Sequence, residues 1–456
     1  MARNARKKQK KSKKENRKSI ARKRFLIILL ILAGIVLACG AISYFSWKSR
    51  ATRNAMESAY IIETSAGKVQ YASMGKGPVI LISHGAGFGW DAIRLYEDLA
   101  REGYRLICPS RPGYLSTPLS SGKTINAQAS MMAALLDALE IHQPVFVLAT
   151  SLGGPAGIAF CLDHPGRCRG LILMDAITQP YNPEPSEKHG ALPGVYDQKG
   201  GSDFTNWIMH LASRYKPKNL LTRLLKAHTL YNRDQCSEMS RSVLQNPSGA
   251  KKLRTMVDIV SPMSLRKKGL ENDRAQVHDL RLSIENLNIP ILLCHSRQDR
   301  QVPYEHAEHV MQKVPEAELY AFNGCGHLFW IGKEWDGISD RTLQFLTLHT
   351  HHKQTKSHRL EGTWVSETDG AMLSVSAAGN FTIDLPSVEE TLMWHGSLKI
   401  DGQTVTIHLD GEKDSLCKNR AGKYAFRLQN DILQFNVHSD PCKIRRKRFR
   451  QLWRRL

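Results

Sequence analysis

Paired cysteine motifs are missing from this sequence. Its nine cysteines include no C-x-x-C spacing, so we expect no zinc site, and no metal or other cofactor is predicted. Cys417 and Cys442 lie in one small C-terminal region, one before and one after a pair of predicted strands. In an oxidising compartment we expect them to form a disulfide. Most other cysteines are expected to be buried apolar side chains, with Cys325 packing a loop.

Acidic residues are nearly missing from both ends of the chain. Residues 1–24 carry thirteen Lys or Arg and one acid, and residues 443–456 carry eight basic residues and no acid. The two ends account for +20 of the formal net charge of +22, so the rest is close to neutral. A nucleic-acid-binding protein usually gathers positive charge on one folded face. We therefore expect residues 1–24 to be a basic tail, and no nucleic-acid partner.

Charge is missing altogether from residues 25–47, which form an apolar run of 23 residues. As a helix this run spans about 34 Å, enough to cross a bilayer. Tyr44, Phe45 and Trp47 lie at its far end, where an aromatic belt is expected. Because the basic excess precedes the run, the positive-inside rule predicts a single-pass transmembrane helix with a cytoplasmic N-terminus and an extracytoplasmic body.

A lipid anchor is the alternative. The stretch "VLACG", residues 36–40, resembles a bacterial lipobox with Cys39 as the lipidated residue. Leu37 is unusual for its position, and the chain stays apolar for eight residues beyond Cys39, where a lipoprotein normally turns polar. We favour the uncleaved helix, and both anchors place the body on the same side of the membrane.

Residues 60–348 alternate short apolar runs with helical patterns. Runs such as "PVILISHG", "PVFVLATS" and "PILLCHS" are typical of strands covered by helices on both faces. Their repetition predicts an α/β domain with a mostly parallel, doubly wound sheet. Residues 178–285 contain no convincing strand and are expected to form a helical cap inserted between two strands.

Two further segments follow the predicted α/β domain. Residues 349–359, "HTHHKQTKSHR", are rich in histidine and could bind metal, but a solvated linker is the favoured interpretation. Residues 360–450 show short alternating segments separated by Gly, Asn and Asp turns, which predicts a small antiparallel β domain.

Ser151, in "LATSLGGPAG", is the candidate nucleophile. It follows an apolar run and precedes a helical pattern, which is the strand–turn–helix context of a nucleophile elbow. That elbow usually has the form Gly-x-Ser-x-Gly because strand and helix pass close together there. Ala149 replaces the first Gly and adds one methyl group, whereas Gly153 keeps the second small position. We interpret Ser151 as a nucleophile rather than as a helix N-cap, the more usual role of such a serine.

A nucleophilic serine needs a base, and the base needs a carboxylate that orients it. His327, in the glycine-rich loop "FNGCGHLFW", is the candidate base. Asp299 directly follows a predicted strand and is the favoured acid. Asp175, at the end of "GLILMD", is the alternative acid, although it also suits a structural turn.

Acyl transfer also needs hydrogen-bond donors for the oxyanion. The backbone N–H of Leu152, directly after the nucleophile, is one candidate. The loop "SHGAGFGW" offers the other, for which we favour the N–H of Ala86. His84 in the same loop is interpreted as a structural residue.

These motifs together resemble the α/β-hydrolase superfamily over residues 60–348. The matching pieces occur in family order: "HGAG", "PSRPGY", "SLGG", "HPGRCRGLILMD", "RQDRQVP" and "GCGH". The resemblance implies a Ser151, Asp299, His327 triad and an inserted cap. The chain departs from the pattern at Ala149 and at Ser110, where many members have Asp, and neither position is catalytic in the family. A serine nucleophile excludes the dehalogenase and epoxide-hydrolase branches, which need Asp.

The C-terminal β domain begins with "LEGTW", and with "GKYAFRL", "ILQF" and "DPCKIRR" it resembles a small lipocalin-like barrel. Two functions are open. The first is a membrane-anchored serine hydrolase, of esterase or lipase type, acting on a small-molecule or lipid-like acyl substrate. The second is a non-catalytic surface protein that reuses the fold and binds a ligand or partner through its β domain, since fold alone does not give function. The ordered triad favours the enzyme.

Overall fold

The computed structural model describes residues 2–181, 201–350, 360–376, 379–385, 392–401, 404–410, 420–429 and 431–456. The chain divides into two compact units, residues 1–350 and residues 351–456. Most of the histidine-rich segment expected to be a linker lies outside the described residues, as does Cys417.

The first unit is an α/β structure that begins with one long helix. Its strands are β1 Tyr60–Thr64, β2 Gly67–Met74, β3 Val79–Ser83, β4 Arg105–Pro109, β5 Val145–Thr150, β6 Cys168–Met174, β7 Ile291–Ser296 and β8 Glu318–Phe322. Its helices are α1 Ala2–Glu57, α2 Glu97–Arg101, α3 Ile125–Ala138, α4 Gly154–Asp163, α5 Asp203–Tyr215, α6 Pro217–His228, α7 Arg233–Gln245, α8 Pro247–Ile259, α9 Lys267–Val277, α10 Glu305–Lys313 and α11 Glu334–Thr350.

Helix α1 contains the whole apolar run and continues through Cys39 without a break. Its segment Arg22–Glu57 is long and apolar enough to cross a membrane. The apolar side chains from Phe25 to Leu37 are largely exposed, whereas Trp47 and Ala55 near its end are buried. The expected N-terminal apolar helix is therefore present.

The eight strands form one sheet in the order β1-β2-β4-β3-β5-β6-β7-β8. Strands β3 to β8 pair in parallel, and the antiparallel β1 and β2 extend one edge. Alternate residues of each central strand enter two separate cores: Val147 packs with α3 and α4 on one face, and Leu148 packs with α11 on the other. Burial on both faces explains the continuous apolar runs. The predicted doubly wound sheet is confirmed.

Among the residues described between β6 and β7, which exclude 182–200, the chain forms five helices, α5 to α9. Leucines of α6 and residues of α8 form a core of their own with Cys325 and Leu328 from the loop after β8. Two buried ion pairs join this helical cap to the body, Arg266 with Asp91 and Arg111 with Asp273. The cap thus lies over the carboxyl ends of the parallel strands, where ligands bind in open α/β sheets.

The second unit is a closed antiparallel barrel of eight strands. Its elements are β9 Gly362–Ser366, β10 Met372–Val375, β11 Asn380–Leu385, β12 Leu392–Asp401, β13 Thr404–Asp410, β14 Gly422–Gln429, β15 Ile432–Ser439, α12 Lys443–Phe449 and β16 Leu452–Arg455. Strand β16 closes the barrel by pairing with both β15 and β9. Trp364, Trp453 and Phe449 are buried in its core. The expected C-terminal antiparallel barrel is therefore present.

One disulfide differs from the sequence-based expectation. Cys161 at the end of α4 is bonded to Cys168 at the start of β6, with their Cα atoms 5.3 Å apart. We expected both to be buried thiols, but the short turn between helix and strand brings them together. Cys442 is buried, and its Sγ accepts a hydrogen bond from the N–H of Arg445. Its pairing with Cys417 stays a prediction.

Candidate active site

Ser151 lies on the sharp turn between β5 and α4. Its φ of +52° is in the left-handed region, which non-glycine residues seldom adopt and which marks strained functional turns. The turn is crowded, since a Cβ on Gly153 would collide with the carbonyl oxygen of Ser83. This packing explains why Gly153 must be small and why the serine hydroxyl projects from the end of the sheet.

Ala149 is accommodated by a glycine on the facing helix. A Cβ on Gly157 of α4 would lie only 2.6 Å from the Cβ of Ala149. The methyl group that replaces the usual glycine therefore occupies space left by a second glycine eight residues later.

The structure brings Ser151, His327 and Asp299 together. The Nδ1 of His327 lies 2.6 Å from Oδ2 of Asp299, and its Nε2 lies 2.9 Å from Oγ of Ser151. Because the carboxylate can only accept, Nδ1 carries the proton and Nε2 is the acceptor facing the serine hydroxyl. All three side chains are buried. This is the geometry that a general base needs to activate a serine.

The loop after β7 holds Asp299 in place. The Oδ1 of Asp299 accepts hydrogen bonds from the N–H of Gln301 at 2.7 Å and of Val302 at 2.9 Å. Burial by itself would raise the pKa of Asp299, but the facing His327 and the Val302 N–H outweigh it, so the pKa is held below its usual value. Asp299 is therefore ionised at neutral pH.

Asp175, the alternative acid, lies beside this group. One oxygen of Asp175, one of Asp299 and one nitrogen of His327 all lie within 4.8 Å of one another. The Oδ1 of Asp175 accepts from the N–H of Ser296 at 2.8 Å. Burial and the charge of Asp299 raise the pKa of Asp175 well above its usual value. The hydrogen bond to His327 is made by Asp299.

The two candidate oxyanion donors lie on either side of Ser151. Ala86 follows Gly85 in the loop after β3, and a Cβ on Gly85 would lie 3.1 Å from the Cβ of Ser151. The side chains of Ala86 and Leu152 belong to one apolar cluster. Among the described residues, the N–H of Ala86 has no hydrogen-bond partner. The role of the Ala86 and Leu152 N–H groups as oxyanion donors stays a prediction.

The part of the chain that carries this site matches a known protein family. The family model for the alpha/beta hydrolase fold matches residues 78–333, more than half of the chain. The chain belongs to the α/β-hydrolase family. The matched residues run from β3 to the turn after His327, so they include every candidate site residue of the first unit.

Two curated relatives of this α/β hydrolase are hydrolases. It is 31% identical over 296 residues to the uncharacterized hydrolase YcgS of Bacillus subtilis, a match that covers 62% of this chain and 97% of the relative. It is 26% identical over 297 residues to 2-hydroxy-6-oxononadienedioate/2-hydroxy-6-oxononatrienedioate hydrolase 1 of Pseudomonas putida, covering 61% of this chain and 92% of the relative.

A solved structure of similar fold is the alpha/beta hydrolase fold protein from Nakamurella multipartita. The TM-score is 0.57 at 25% sequence identity, with 63% of this chain and 98% of that chain covered. The likeness therefore extends over nearly the whole of that α/β-hydrolase fold protein.

The α/β hydrolase holds His84 as a structural residue, in agreement with the sequence analysis. Its Nδ1 donates to the carbonyl of Gly85 at 2.8 Å, and its Nε2 accepts from the N–H of Arg111 at 2.9 Å. Burial and the charge of Arg111 hold the pKa of His84 well below its usual value. A neutral imidazole with both nitrogens occupied cannot act as a second base.

Sequence reasoning missed the contribution of the cap to the site. His228, the last residue of α6, stacks on His327 with ring centroids 6.2 Å apart and planes 10° from parallel. Burial and the charge of His327 lower the pKa of His228 to about 3. Thr229 forms a β-bridge with Asp299. No local motif marks either residue, because both contacts join segments about 70 to 100 residues apart.

Proposed function

We propose that this chain is a membrane-anchored serine hydrolase that cleaves an ester or related acyl substrate through an acyl-enzyme. One observation carries the proposal: Oγ of Ser151 lies 2.9 Å from Nε2 of His327, whose Nδ1 lies 2.6 Å from Asp299. A buried serine with a positioned base and a buried carboxylate suits acyl transfer.

The mechanism uses the same groups in both half-reactions. Oγ of Ser151 attacks the substrate carbonyl carbon while its proton moves to Nε2 of His327. The N–H groups of Ala86 and Leu152 stabilise the oxyanion of the tetrahedral intermediate. His327 then gives the proton to the leaving group as the acyl–leaving-group bond breaks. Water then attacks the acyl carbon while His327 takes one of its protons. As the bond between the acyl carbon and Oγ breaks, His327 returns this proton to Ser151 and the acid leaves. Asp299 stays ionised throughout and stabilises the imidazolium.

Membrane attachment is proposed through α1, with residues 1–24 in the cytoplasm and the hydrolase outside. The unbroken course of α1 through Cys39 and its exposed apolar surface support a spanning helix rather than a lipidated cysteine. The basic excess before the apolar run supports this orientation.

The substrate class is proposed to be a small or lipid-like acyl compound. The relative from Pseudomonas putida is named for a 2-hydroxy-6-oxo dienedioate, which makes carbon–carbon cleavage of such an acid a second reaction to assay. The adjacent membrane helix favours acyl substrates that partition into a lipid surface.

Labelling with a fluorophosphonate probe tests the proposal. We expect the full-length protein to be labelled and to hydrolyse a p-nitrophenyl ester, and Ser151→Ala to lose labelling and at least about 10⁴-fold in kcat. His327→Ala should cost about as much, since the triad acts as a unit. Ser130→Ala on the exposed face of α3 is the matched control and should behave as wild type.

Two outcomes count against the proposal. Full turnover of the ester by Ser151→Ala would remove Ser151 as nucleophile. A folded wild type that neither reacts with the probe nor hydrolyses an ester or a 2-hydroxy-6-oxo dienedioate would favour the non-catalytic binding protein instead.

A further inference from the structure

A cavity of about 470 Å³ lies between the end of α1, the body and the cap. Helix α1 contributes one face to it, with Trp47, Arg50 and Asn54 at helical spacing. The body contributes Trp90 and Arg94, and the cap closes the far side through α5 and α8. The cavity is separate from the catalytic serine, since none of the three triad residues lines it.

The wall formed by α1 is held rigidly. The carbonyl oxygen of Ala55 accepts from Nε1 of Trp90 at 2.9 Å and from Nε2 of Gln70 at 3.0 Å. Nζ of Lys48 lies 2.9 Å from the carboxylate of Asp203 at the start of α5. These contacts fix the last turns of α1 on both body and cap, so the cavity is a built feature of the unit.

The charge of the cavity favours an anion. Its two carboxylates are already paired, Asp91 with Arg266 and Asp258 with His210 and Arg214. Arg50 and Arg94 also line the cavity, and neither forms an ion pair with any described residue. Their two guanidinium groups therefore give the cavity an uncompensated positive charge. A guanidinium group can bind phosphate through bidentate hydrogen bonds.

The position of the cavity along α1 places it at a membrane surface. Arg50 lies one helical turn, about 5 Å, beyond the end of the apolar run at Trp47. The polar headgroup layer of a bilayer is about 5–7 Å deep on each side. Tyr44, in the last turn of the apolar run, contacts Phe204 at 6.0 Å and Trp207 at 5.8 Å between ring centroids.

The outer face of α5 also indicates that the cavity lies at the level of the lipid headgroups. Phe204 and Ile208 lie one turn apart on α5 and are 57% and 41% exposed. Exposed apolar side chains beside Tyr44 suit the boundary between acyl chains and headgroups, where aromatic residues concentrate. With α5 at this level, the cavity opens where lipid phosphates lie.

We propose that this cavity binds the phosphate of an anionic phospholipid headgroup through Arg50 and Arg94. The proposal rests on the membrane-anchored state proposed above. Phosphate is the recognised chemistry, and free inorganic phosphate is its other source. The lipid is the occupant we infer, because the apolar surface next to the cavity gives its acyl chains a place to lie.

A lipid titration in neutral detergent micelles tests this inference on the full-length protein. The thermal midpoint is measured against dioctanoyl phosphatidylglycerol, dioctanoyl phosphatidylcholine and inorganic phosphate. We expect saturable stabilisation by phosphatidylglycerol. The double variant Arg50→Gln/Arg94→Gln should raise its apparent Kd at least about tenfold, as expected for the loss of charge-assisted hydrogen bonds. Arg53→Gln, one turn further on α1 and outside the cavity lining, is the matched control and should keep the wild-type Kd.

Three results of the titration would contradict the proposal. Equal stabilisation by phosphatidylcholine, or equal weakening by Arg53→Gln, would overturn a headgroup site. Saturation by inorganic phosphate at the same Kd would overturn the lipid as occupant. Failure of the membrane anchor is detected separately, by extraction of the protein from membranes at alkaline pH, and the micelle titration does not depend on it.

Discussion

Ala149 and Gly157 form a complementary pair beside the turn that carries Ser151. The strained backbone dihedral of this turn is the positive φ of Ser151. The distance between β5 and α4 depends on how many Cβ atoms lie between them. With one Cβ, from Ala149, the two elements are in contact. A second Cβ at position 157 has no space.

A double-mutant cycle measures this complementarity. Gly157→Ala should destabilise the protein by about 1–3 kcal/mol through overpacking, because its methyl group meets that of Ala149. Adding Ala149→Gly should recover most of the loss, with a coupling energy of the same order. Chemical denaturation of the four proteins gives the free energies. Additive effects, with no recovery in the double variant, would contradict the pairing.

Asp175 and Asp299 are neighbouring carboxyl groups whose surroundings shift their pKa values in opposite directions. The folded-state pKa of Asp175 is raised, first by burial and then by the charge of Asp299, whereas that of Asp299 is lowered. A raised pKa means that the folded protein binds this proton more tightly than the unfolded chain. The contribution to stability is present below the unfolded pKa of about 3.9 and is lost as the pH rises through the folded pKa of Asp175.

The variant Asp175→Asn distinguishes the role of Asp175 from that of Asp299. We expect kcat/KM to stay within about tenfold of wild type, whereas loss of the true acid costs about 10⁴-fold. We also expect the variant to gain stability relative to wild type as the pH is raised above about 4, since it lacks the titrating group. Activity assays and thermal midpoints between pH 4 and 8 check both. A 10⁴-fold loss in Asp175→Asn, with Asp299→Asn nearly active, would reassign the acid.

Buried ion pairs hold the helices of the cap on the body. Arg266 of the cap lies 3.1 and 2.6 Å from the two carboxylate oxygens of Asp91 in the body, and both are buried. Arg111 and Tyr114 of the body reach Asp273 of α9 in the same way. Cap and body therefore have a fixed relative position that places the end of α6 over His327.

Removing one partner of such an ion pair should lower the free energy of unfolding by more than the intact pair contributes to it. Asp91→Ala leaves the Arg266 guanidinium buried without a counter-charge, and we expect a loss of about 3–5 kcal/mol. Asp91→Ala/Arg266→Met should recover most of it, because an apolar side chain replaces the ion. Asp137→Ala, which removes an exposed pair with Arg167, is the control and should cost under about 1 kcal/mol. A double variant as unstable as Asp91→Ala would refute this explanation.

For the whole molecule, cysteine pairing and membrane topology are linked. The Cys161–Cys168 disulfide in the hydrolase unit suits an oxidising compartment, which is also what the predicted orientation of α1 requires. A cytoplasmic hydrolase would keep these thiols reduced.

Protein isolated from its native membrane tests this link. Non-reducing peptide mapping should find Cys161–Cys168 and the predicted Cys417–Cys442 pair, the latter contributing about 3 kcal/mol by the chain-entropy model. In intact cells, residues 1–24 should resist external protease while the hydrolase is digested. Membrane attachment should persist in Cys39→Ser. Free thiols at all four positions, or a C-terminal reporter active only in the cytoplasm, would overturn the exported topology.

Features that depend on local sequence were predictable. The central parallel strands β3 to β7 are buried on both faces, so each appears as an apolar run. The apolar helix needs no partner to be recognised. The order of Ser151, Asp299 and His327, each after a predicted strand, was enough to nominate the group that the structure brings together. The closing strand β16 was harder to recognise, because its basic residues belong to a charged stretch without a clear alternation.

The remaining features needed the tertiary structure. Asp175 beside Asp299, His228 on His327 and the cavity beside α1 all join segments that are separate in the chain. No local pattern carries these contacts, because each depends on where the close packing of helices on the sheet places two side chains. The sequence by itself determined the elements and the candidate chemical groups. The packing of the cap and of α1 on the sheet decided which groups face one another.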